Sequence, residues 1–288
     1  MKVLITGGNG YIARNIKPLF EAAGYEVVAP SHRELDLLNY DMTFDYLMRH
    51  RPDIIIHAAT KGGRRLVADT WEEVLVPNLK MFQVLSLANA HPGFPRKRSA
   101  KIITFGSGAE FDRSHSICCE TEKHISIRCP LDPYGLSKNM ISRLAAEWPN
   151  TTVVRLFGCF NHDEDSSRFI KRNILLLKAG LPMEIHQNKN MDFFYLDDVF
   201  TVIDWIINEH PKARDFNLVY GETHTLNDIA HMIKHYANKP DAEIKILQDG
   251  FGNDYTGNYF GALTDCNFPR YKFVGLKEGI RRTVAKLL

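Results

Sequence analysis

Short apolar runs alternate with stretches in which apolar positions recur every three or four residues, and this alternation organises the first half of the chain. Residues 2–6 read as a buried strand, Ala13 to Ala23 as a helix, and Gly24 to Ala29 as a second strand that Pro30 stops. Met42 to His50 is expected to be helical, Asp53 to Ala59 a third and fully buried strand, Val74 to Ala90 a long helix, and Ala100 to Phe105 a fourth strand. Pro133 to Glu147 predicts another helix and Thr151 to Leu156 a fifth strand. Such alternation predicts an α/β fold: a parallel sheet covered on both faces by right-handed crossovers, with ligands at the carboxyl ends of its strands. The pattern breaks up between Phe157 and Met191 and again after Tyr220, where short polar-rich elements predict a smaller mixed α/β lobe. Within it, Leu226, Ile229, Ala230 and Ile233 keep helical spacing over Leu226 to Tyr236.

Lys2 to Ala13 reads KVLITGGNGYIA, an apolar strand running into Gly7, Gly10 and Ala13 at three-residue intervals. A side chain at position 7 or 10 would block the strand-to-helix turn or keep a pyrophosphate from the backbone N–H groups, and the following helix offers its positive dipole end. The segment therefore reads as a dinucleotide site on a Rossmann-type, doubly wound sheet, the bland alternative being a βα turn without a ligand. In this organisation residues 1–156 form the dinucleotide-binding part, 192–220 return to it, and 157–191 with 221–288 form the substrate lobe.

Tyr134 and Lys138 stand four residues apart, on one face of the expected helix. An ammonium near a phenol favours the phenolate and lowers a pKa that is ~10 when unperturbed, which suits proton exchange with a substrate hydroxyl or carbonyl. Ser107, just past the fourth strand, could share the same substrate oxygen. Taken singly, the tyrosine reads equally as a half-buried surface aromatic and the serine as a turn residue; together they point to catalysis.

Composition narrows the setting. With 288 residues, of which 44% are hydrophobic, the chain can bury a sizeable core. A formal charge of +2 with interspersed signs gives no reason to expect nucleic acid or a membrane as partner. Of its local basic clusters, Arg64-Arg65 is the better placed to meet an anion, and Arg96-Lys97-Arg98 reads as a solvated loop. No leader-like segment and no apolar run of ~20 residues is visible, so the expected location is the cytoplasm. The five cysteines lack metal-ligand spacing and read as reduced thiols; His224, His231 and His235 read as surface residues, and no metal site is expected.

With these residues assembled, the chain resembles the extended short-chain dehydrogenase/reductases, the branch of NAD-dependent nucleotide-sugar epimerases, dehydratases and reductases. The resemblance rests on Thr6 to Ala13, His57-Ala58-Ala59, Asn78, Ser107, the Tyr134/Lys138 pair, Arg155-Leu156-Phe157 and Asp192 to Val199. Arg33 to Asn39 and Ala58 to Gly63 are similar to segments of the GDP-fucose synthases, and dTDP-4-dehydrorhamnose reductases are comparable. The resemblance implies hydride transfer between a nicotinamide and a sugar carbon, with Tyr134 as proton donor or acceptor, Lys138 on the cofactor ribose and Ser107 orienting the oxygen. It implies cofactor contacts at Gly7, Asn9, Gly10, Tyr11, Ile12, Ser31, His32, Arg33, Asp36, Leu37, Ala58, Ala59, Thr60, Asn78 and Leu156. Substrate contacts are implied at Lys61, Ser107, Gly108, Phe157 and Arg168. Where NAD-selective members carry an acid after the second strand, this chain has Ser31-His32-Arg33, groups able to receive a 2′-phosphate, so NADP(H) is favoured over NAD. Members also commonly form homodimers through the helices at Val74 to Ala90 and Tyr134 to Glu147.

The chain departs from the family pattern at three substrate positions. The Asn of RxxNVYGP is Gly158, the Arg before the Asp-Phe pair is Met191, and the Cys that follows the serine in fucose synthases is Gly108. Arg64, Arg168, Lys171, Arg172 or Arg270 are candidate replacements for the missing cation, and His162 falls near the family's second acid/base. Cys159 reads as a small core residue. Three functions remain open: an NADPH-dependent reductase of a nucleotide-linked 4-keto-6-deoxyhexose, an NAD-retaining nucleotide-sugar 4-epimerase, and a non-catalytic dinucleotide-binding regulatory protein.

Overall fold

Strand β1 (Lys2–Thr6) has four of its five residues buried, as the apolar run requires. It leads through the glycine turn into α1 (Tyr11–Ala22), followed by β2 (Glu26–Val28), α2 (Tyr40–His50) and β3 (Ile54–His57). A π-helical turn, Trp71–Leu75, runs into α3 (Val76–Asn89); then come β4 (Lys101–Ser107), β5 (Ile117–Glu120), α4 (Pro133–Glu147) and β6 (Thr151–Leu156). The remainder comprises β7 (Cys159–Phe160), α5 (Phe169–Lys178), β8 (Met183–Asn188), β9 (Phe194–Tyr195), α6 (Leu196–Glu209) and β10 (Asp215–Leu218). It ends with α7 (Leu226–Tyr236), β11 (Ile244–Phe251), β12 (Tyr255–Gly257), α8 (Ala262–Asp265) and α9 (Leu276–Leu287). This computed structural model describes residues 1–63, 68–93 and 99–288; both basic clusters, Arg64-Arg65 and Arg96-Lys97-Arg98, lie outside the described residues.

Six strands form one parallel sheet in the order β2-β1-β3-β4-β6-β10. The chain leaves β1 for β2 on one side and returns to place β3 on the other, so the switch point of this Rossmann-type sheet lies between Gly7 and Ala58. Side chains alternate across it with the period of two that strands impose. Val3, Ile5, Ile54, Ile56 and Ile103 pack against Ile16 and Phe20 of α1 and Val202, Ile203 and Ile206 of α6. Leu4, Ile55 and Ile102 face the other way, against Leu47 of α2 and Met81 and Leu85 of α3. A separate apolar cluster gathers Ile170 and Ile174 of α5, Met183 and Ile185 of β8, Ile229 and Ile233 of α7, and Ile280 of α9. Asp198 joins this part to the sheet by accepting from the Val274 and Gly275 N–H groups at 2.7 and 2.9 Å.

Local differences from the expected elements have local causes. Helix α2 begins at Tyr40, two residues before the expected Met42, because Asn39 caps it by accepting from the Met42 N–H at 3.0 Å. The helix expected from Val74 starts earlier, in the π turn that Thr70 caps by accepting from the Glu73 N–H. Strand β4 runs beyond Phe105 through Gly106 and Ser107, which pair with Arg155 and Leu156 of β6. Ser107 is therefore the last residue of the strand, not a residue beyond it.

Candidate active site

The β1–α1 turn is wedged between the ends of two neighbouring strands. Gly7 adopts φ +67°, and a Cβ there would fall 2.9 Å from Ala59 Cα; at Gly8 it would fall 2.2 Å from the Ala29 carbonyl oxygen. Gly8 was not singled out by the sequence, because only the packing of the β2 end against the turn reveals its constraint. The Gly10 N–H closes the turn on the Gly7 carbonyl at 2.7 Å. Helix α1 then opens with no side-chain cap, so its first N–H groups and dipole are available to an anion. A backbone cradle with no room for Cβ atoms, ending on an uncapped helix, fits a dinucleotide pyrophosphate. Asn9 is exposed at the turn, Ile12 packs on the core, and the Tyr11 hydroxyl is buried beside the Cys159 thiol, its phenol pushed well up by burial.

Beyond β2, the Ser31 N–H and hydroxyl both donate to Glu34 Oε2, at 2.8 and 2.7 Å. Those bonds hold the Glu34 carboxyl below its usual range. The expectation of a purely polar and cationic segment overlooked this acid, which lies just beyond the cationic triplet. His32 and Arg33 are exposed. Asp36 accepts from the Leu38 N–H at 3.0 Å and lies 3.8 Å from His32 Nδ1. Leu37 is 3% exposed and packs with Leu35, Leu47 and Leu85, and Leu156 belongs to the core beneath α6. Both side chains are hydrophobic-core residues.

At the end of β3 a polar bracket holds the loop Ala58 to Gly63. The Ala59 N–H donates to Thr6 Oγ1 at 3.1 Å, and that hydroxyl lies 3.0 Å from His57 Nδ1. Burial pushes His57 down to about 3, so it is neutral. Buried Asn78 accepts from the Lys61 N–H at 2.8 Å and donates to the Lys61 carbonyl at 3.0 Å and to Ser137 Oγ at 3.1 Å. Ser137 in turn donates to the Tyr134 carbonyl at 2.8 Å. The Asn78 amide, expected on the cofactor, is thus occupied by protein groups: it ties this loop to α4. Thr60 and the Lys61 side chain are exposed.

Ser107, Tyr134 and Lys138 lie together where β4 meets α4. Asp132 caps α4 by accepting from the Gly135 N–H at 2.8 Å, which sets Tyr134 in the first turn and Lys138 one turn on. Lys138 Nζ donates to the Phe105 carbonyl at 2.9 Å and lies 5.9 Å from the Tyr134 ring centre. Burial lowers the Lys138 amine to about 8. Ser107 caps the 3₁₀ turn Gly108–Phe111: its hydroxyl accepts from the Ala109 N–H at 3.2 Å, and its own N–H donates to Glu110 Oε1 at 2.7 Å. The expected lowering of the Tyr134 phenol by Lys138 is not what the environment produces. Burial raises it, and the groups opposing burial are the Ser107 hydroxyl and the Arg168 and Arg113 guanidiniums, while the lysine amine is turned to a carbonyl.

The substrate candidates divide. Arg168 donates to the Gly63 carbonyl at 3.1 Å, and Gly63 presses so closely that a Cβ there would stand 3.0 Å from the Tyr134 ring, so this cation borders the site. Gly108 and Phe157 form its floor together with Tyr255, a residue 121 positions after Tyr134 that no local motif marks. Arg113, also unmarked, donates to Asp132 at 2.6 Å beside the two tyrosines. The other candidates among the described residues have structural partners: Arg172 pairs with Glu184, Lys171 donates to the Glu164 carbonyl, and Arg270 donates to Val219, Tyr259 and Thr264. His162 lines a different groove, between α1 and α9, with Asn15, Tyr195 and Arg282. Gly158 admits no side chain, since a Cβ would meet the Asp192 carbonyl at 2.9 Å. Cys159 packs against the main core, its thiol pushed up by burial.

Comparisons with known proteins identify the family and the fold. The model of the NAD dependent epimerase/dehydratase family matches residues 3–219. The chain is 27% identical over 259 residues to a GDP-L-colitose synthase of Yersinia pseudotuberculosis, covering 81% of each protein. Its fold superposes on MlghC, a GDP-mannoheptose C4 reductase from Campylobacter jejuni with NADP bound, with a TM-score of 0.81 at 13% identity, covering 99% of this chain and 97% of that one. A UDP-glucose 4-epimerase from Thermotoga maritima gives a TM-score of 0.80 at 18% identity, covering 99% and 98%. The chain belongs to the NAD dependent epimerase/dehydratase family and is an enzyme of that family.

Proposed function

We propose that the protein reduces the 4-keto group of a nucleotide-linked 6-deoxyhexose with NADPH. The observation that carries this reading is the meeting of Ser107, Tyr134 and Lys138 at the carboxyl end of the sheet that also carries the glycine cradle. The Gly7 to Gly10 turn and the Ala58 to Thr60 loop would hold the dinucleotide, whose reduced nicotinamide would supply a hydride. Tyr134, kept protonated by burial, donates a proton to the carbonyl oxygen; Ser107 orients that oxygen; Lys138 holds the cofactor ribose. Arg168 and Arg113 favour the developing phenolate. The same reading assigns residues 157–191 and 221–288 to the sugar nucleotide, and pairs two copies in the cytoplasm through exposed Val76, Leu87, Met140 and Leu144 of α3 and α4. The NADP-bound C. jejuni neighbour supports NADPH, with His32 and Arg33 receiving the 2′-phosphate once Ser31 is released from Glu34.

NADPH oxidation by the purified protein, assayed with GDP-, dTDP- and CDP-linked 4-keto-6-deoxyhexoses, tests this. Turnover with one of them, lost in Tyr134→Phe, is the expected result. The second reading, a 4-epimerase, is favoured by the T. maritima likeness; tightly bound NAD and interconversion of epimers without net NADPH consumption would establish it instead.

A further inference from the structure

Two tyrosines, not one, converge on the active-site serine. The Tyr255 hydroxyl lies 3.4 Å from Ser107 Oγ, and its ring stands edge-on to Phe157 with centres 5.5 Å apart. Its backbone is held on both sides: its N–H donates to the Asn190 carbonyl at 2.9 Å and its carbonyl accepts from the Asp192 N–H at 3.1 Å. The ring is therefore fixed by the same strand segment that carries the Asp-Phe motif. A side chain at position 108 would meet Phe157 Cδ1 at 2.4 Å and Tyr255 Cζ at 2.9 Å, so these two rings fill the volume next to the serine.

We infer that Tyr255 is a positioning residue of the active site, whose O–H donates to Ser107 Oγ and thereby turns the Ser107 proton toward Tyr134 and the substrate oxygen. A serine hydroxyl has one proton to give and two lone pairs to fill. One lone pair takes the Ala109 N–H at 3.2 Å. When Tyr255 fills the other, no competing acceptor holds the serine proton, and the hydroxyl has one direction left. Tyr255 suits the donor role, because burial raises its phenol to about 12; Arg113, Glu110 and Tyr134 act on it electrostatically, and Lys189 Nζ stands 5.8 Å from its ring centre. This deepens the proposed reduction and rests on that reading only for its catalytic consequence.

The test uses Tyr255→Phe, which keeps the ring against Phe157 and over Gly108, so the fold is retained and only the hydroxyl is lost. In protein with ring-labelled tyrosine and no substrate, the Tyr134 Cζ resonance at neutral pH should move in Ser107→Ala and in the same direction in Tyr255→Phe. Adding Tyr255→Phe to Ser107→Ala should move it no further. An unmoved resonance in Tyr255→Phe, or full additivity in the double variant, overturns the inference. With a 4-keto-6-deoxyhexose nucleotide that is turned over, Tyr255→Phe should lower kcat roughly 5- to 30-fold at a KM within about twofold, and should add nothing in the Ser107→Ala background. Equal loss in both backgrounds also overturns it. If no sugar nucleotide is turned over, the reductase reading fails while the resonance still decides the role of Tyr255.

Discussion

Arg155 Nε donates to Glu110 Oε2 at 2.7 Å, and both side chains are entirely shut off from solvent. The guanidinium also reaches Asn217 Oδ1 at 2.9 Å and Asp215 Oδ2 at 3.2 Å, while the other Glu110 oxygen accepts from the Ser107 N–H at 2.7 Å. The catalytic serine candidate is therefore placed by a buried ion pair. Glu110→Ala would leave a buried guanidinium short of a partner and is expected to cost ~3–5 kcal/mol in urea unfolding, with loss of turnover. Glu110→Gln, which keeps acceptor and shape, is expected to cost less.

Gly7→Ala should abolish dinucleotide binding, because the methyl group would meet Ala59 Cα at 2.9 Å in a left-handed backbone. Gly24→Ala is the matched control: its φ is +86°, with nothing within 4 Å of a Cβ. It should lose only ~1 kcal/mol to backbone strain and keep its affinity. Calorimetric titration with NADPH separates the two.

Asn78→Ala removes four hydrogen bonds between the β3 loop, α3 and α4. A destabilisation of ~1–3 kcal/mol is expected from the unsatisfied buried groups. Because the Lys61 backbone is released, hydrogen exchange at the Lys61 N–H should accelerate more than exchange in β1, which checks that the effect is local.

Asp192 accepts from the Gly257 N–H at 2.8 Å, and burial raises its carboxyl to about 7. Its unfolded value is ~3.9, so between these two pH values the native state holds a proton that the unfolded chain has released. Stability from this group is full below pH ~4 and is lost as pH rises through about 7. Asp192→Asn, which keeps the acceptor, should match the parent's Tm at pH ~4 and exceed it increasingly toward pH ~8. A constant difference across this range would contradict the assigned titration.

Glu34 occupies the Ser31 N–H and hydroxyl that a 2′-phosphate would use. Glu34→Gln should raise affinity for NADPH several-fold and leave NADH binding nearly unchanged, as read by fluorescence titration of the two coenzymes. Equal changes for both would place Glu34 away from the 2′ position.

Much of the sheet was legible because its signals are local. Buried strands such as Ile54–His57 must be apolar throughout, the helix at Pro133–Glu147 announces itself by Asp132 and Pro133, and the glycine turn needs small residues at fixed intervals. What was not legible had distant causes. Asn78 reads the same whether its amide meets a cofactor or Lys61 and Ser137, and Leu37 reads the same on a ligand or in a core. The Tyr134–Lys138 spacing was visible, but the sign of the phenol's shift was not, because desolvation depends on what covers the ring.

The sequence by itself determined the parallel α/β architecture and the glycine turn and offered Ser107, Tyr134 and Lys138 as candidates, since its signals are strand and helix periods and motifs of fixed spacing. Tertiary structure alone decided that Tyr255 approaches Ser107, that Glu110 and Arg155 anchor the serine from beneath, and that Arg168 reaches over Gly63. Those relations join positions 45 to 148 residues apart. Only the folded chain brings such positions within hydrogen-bond range, and only there does exclusion of water set the protonation of the groups it brings together.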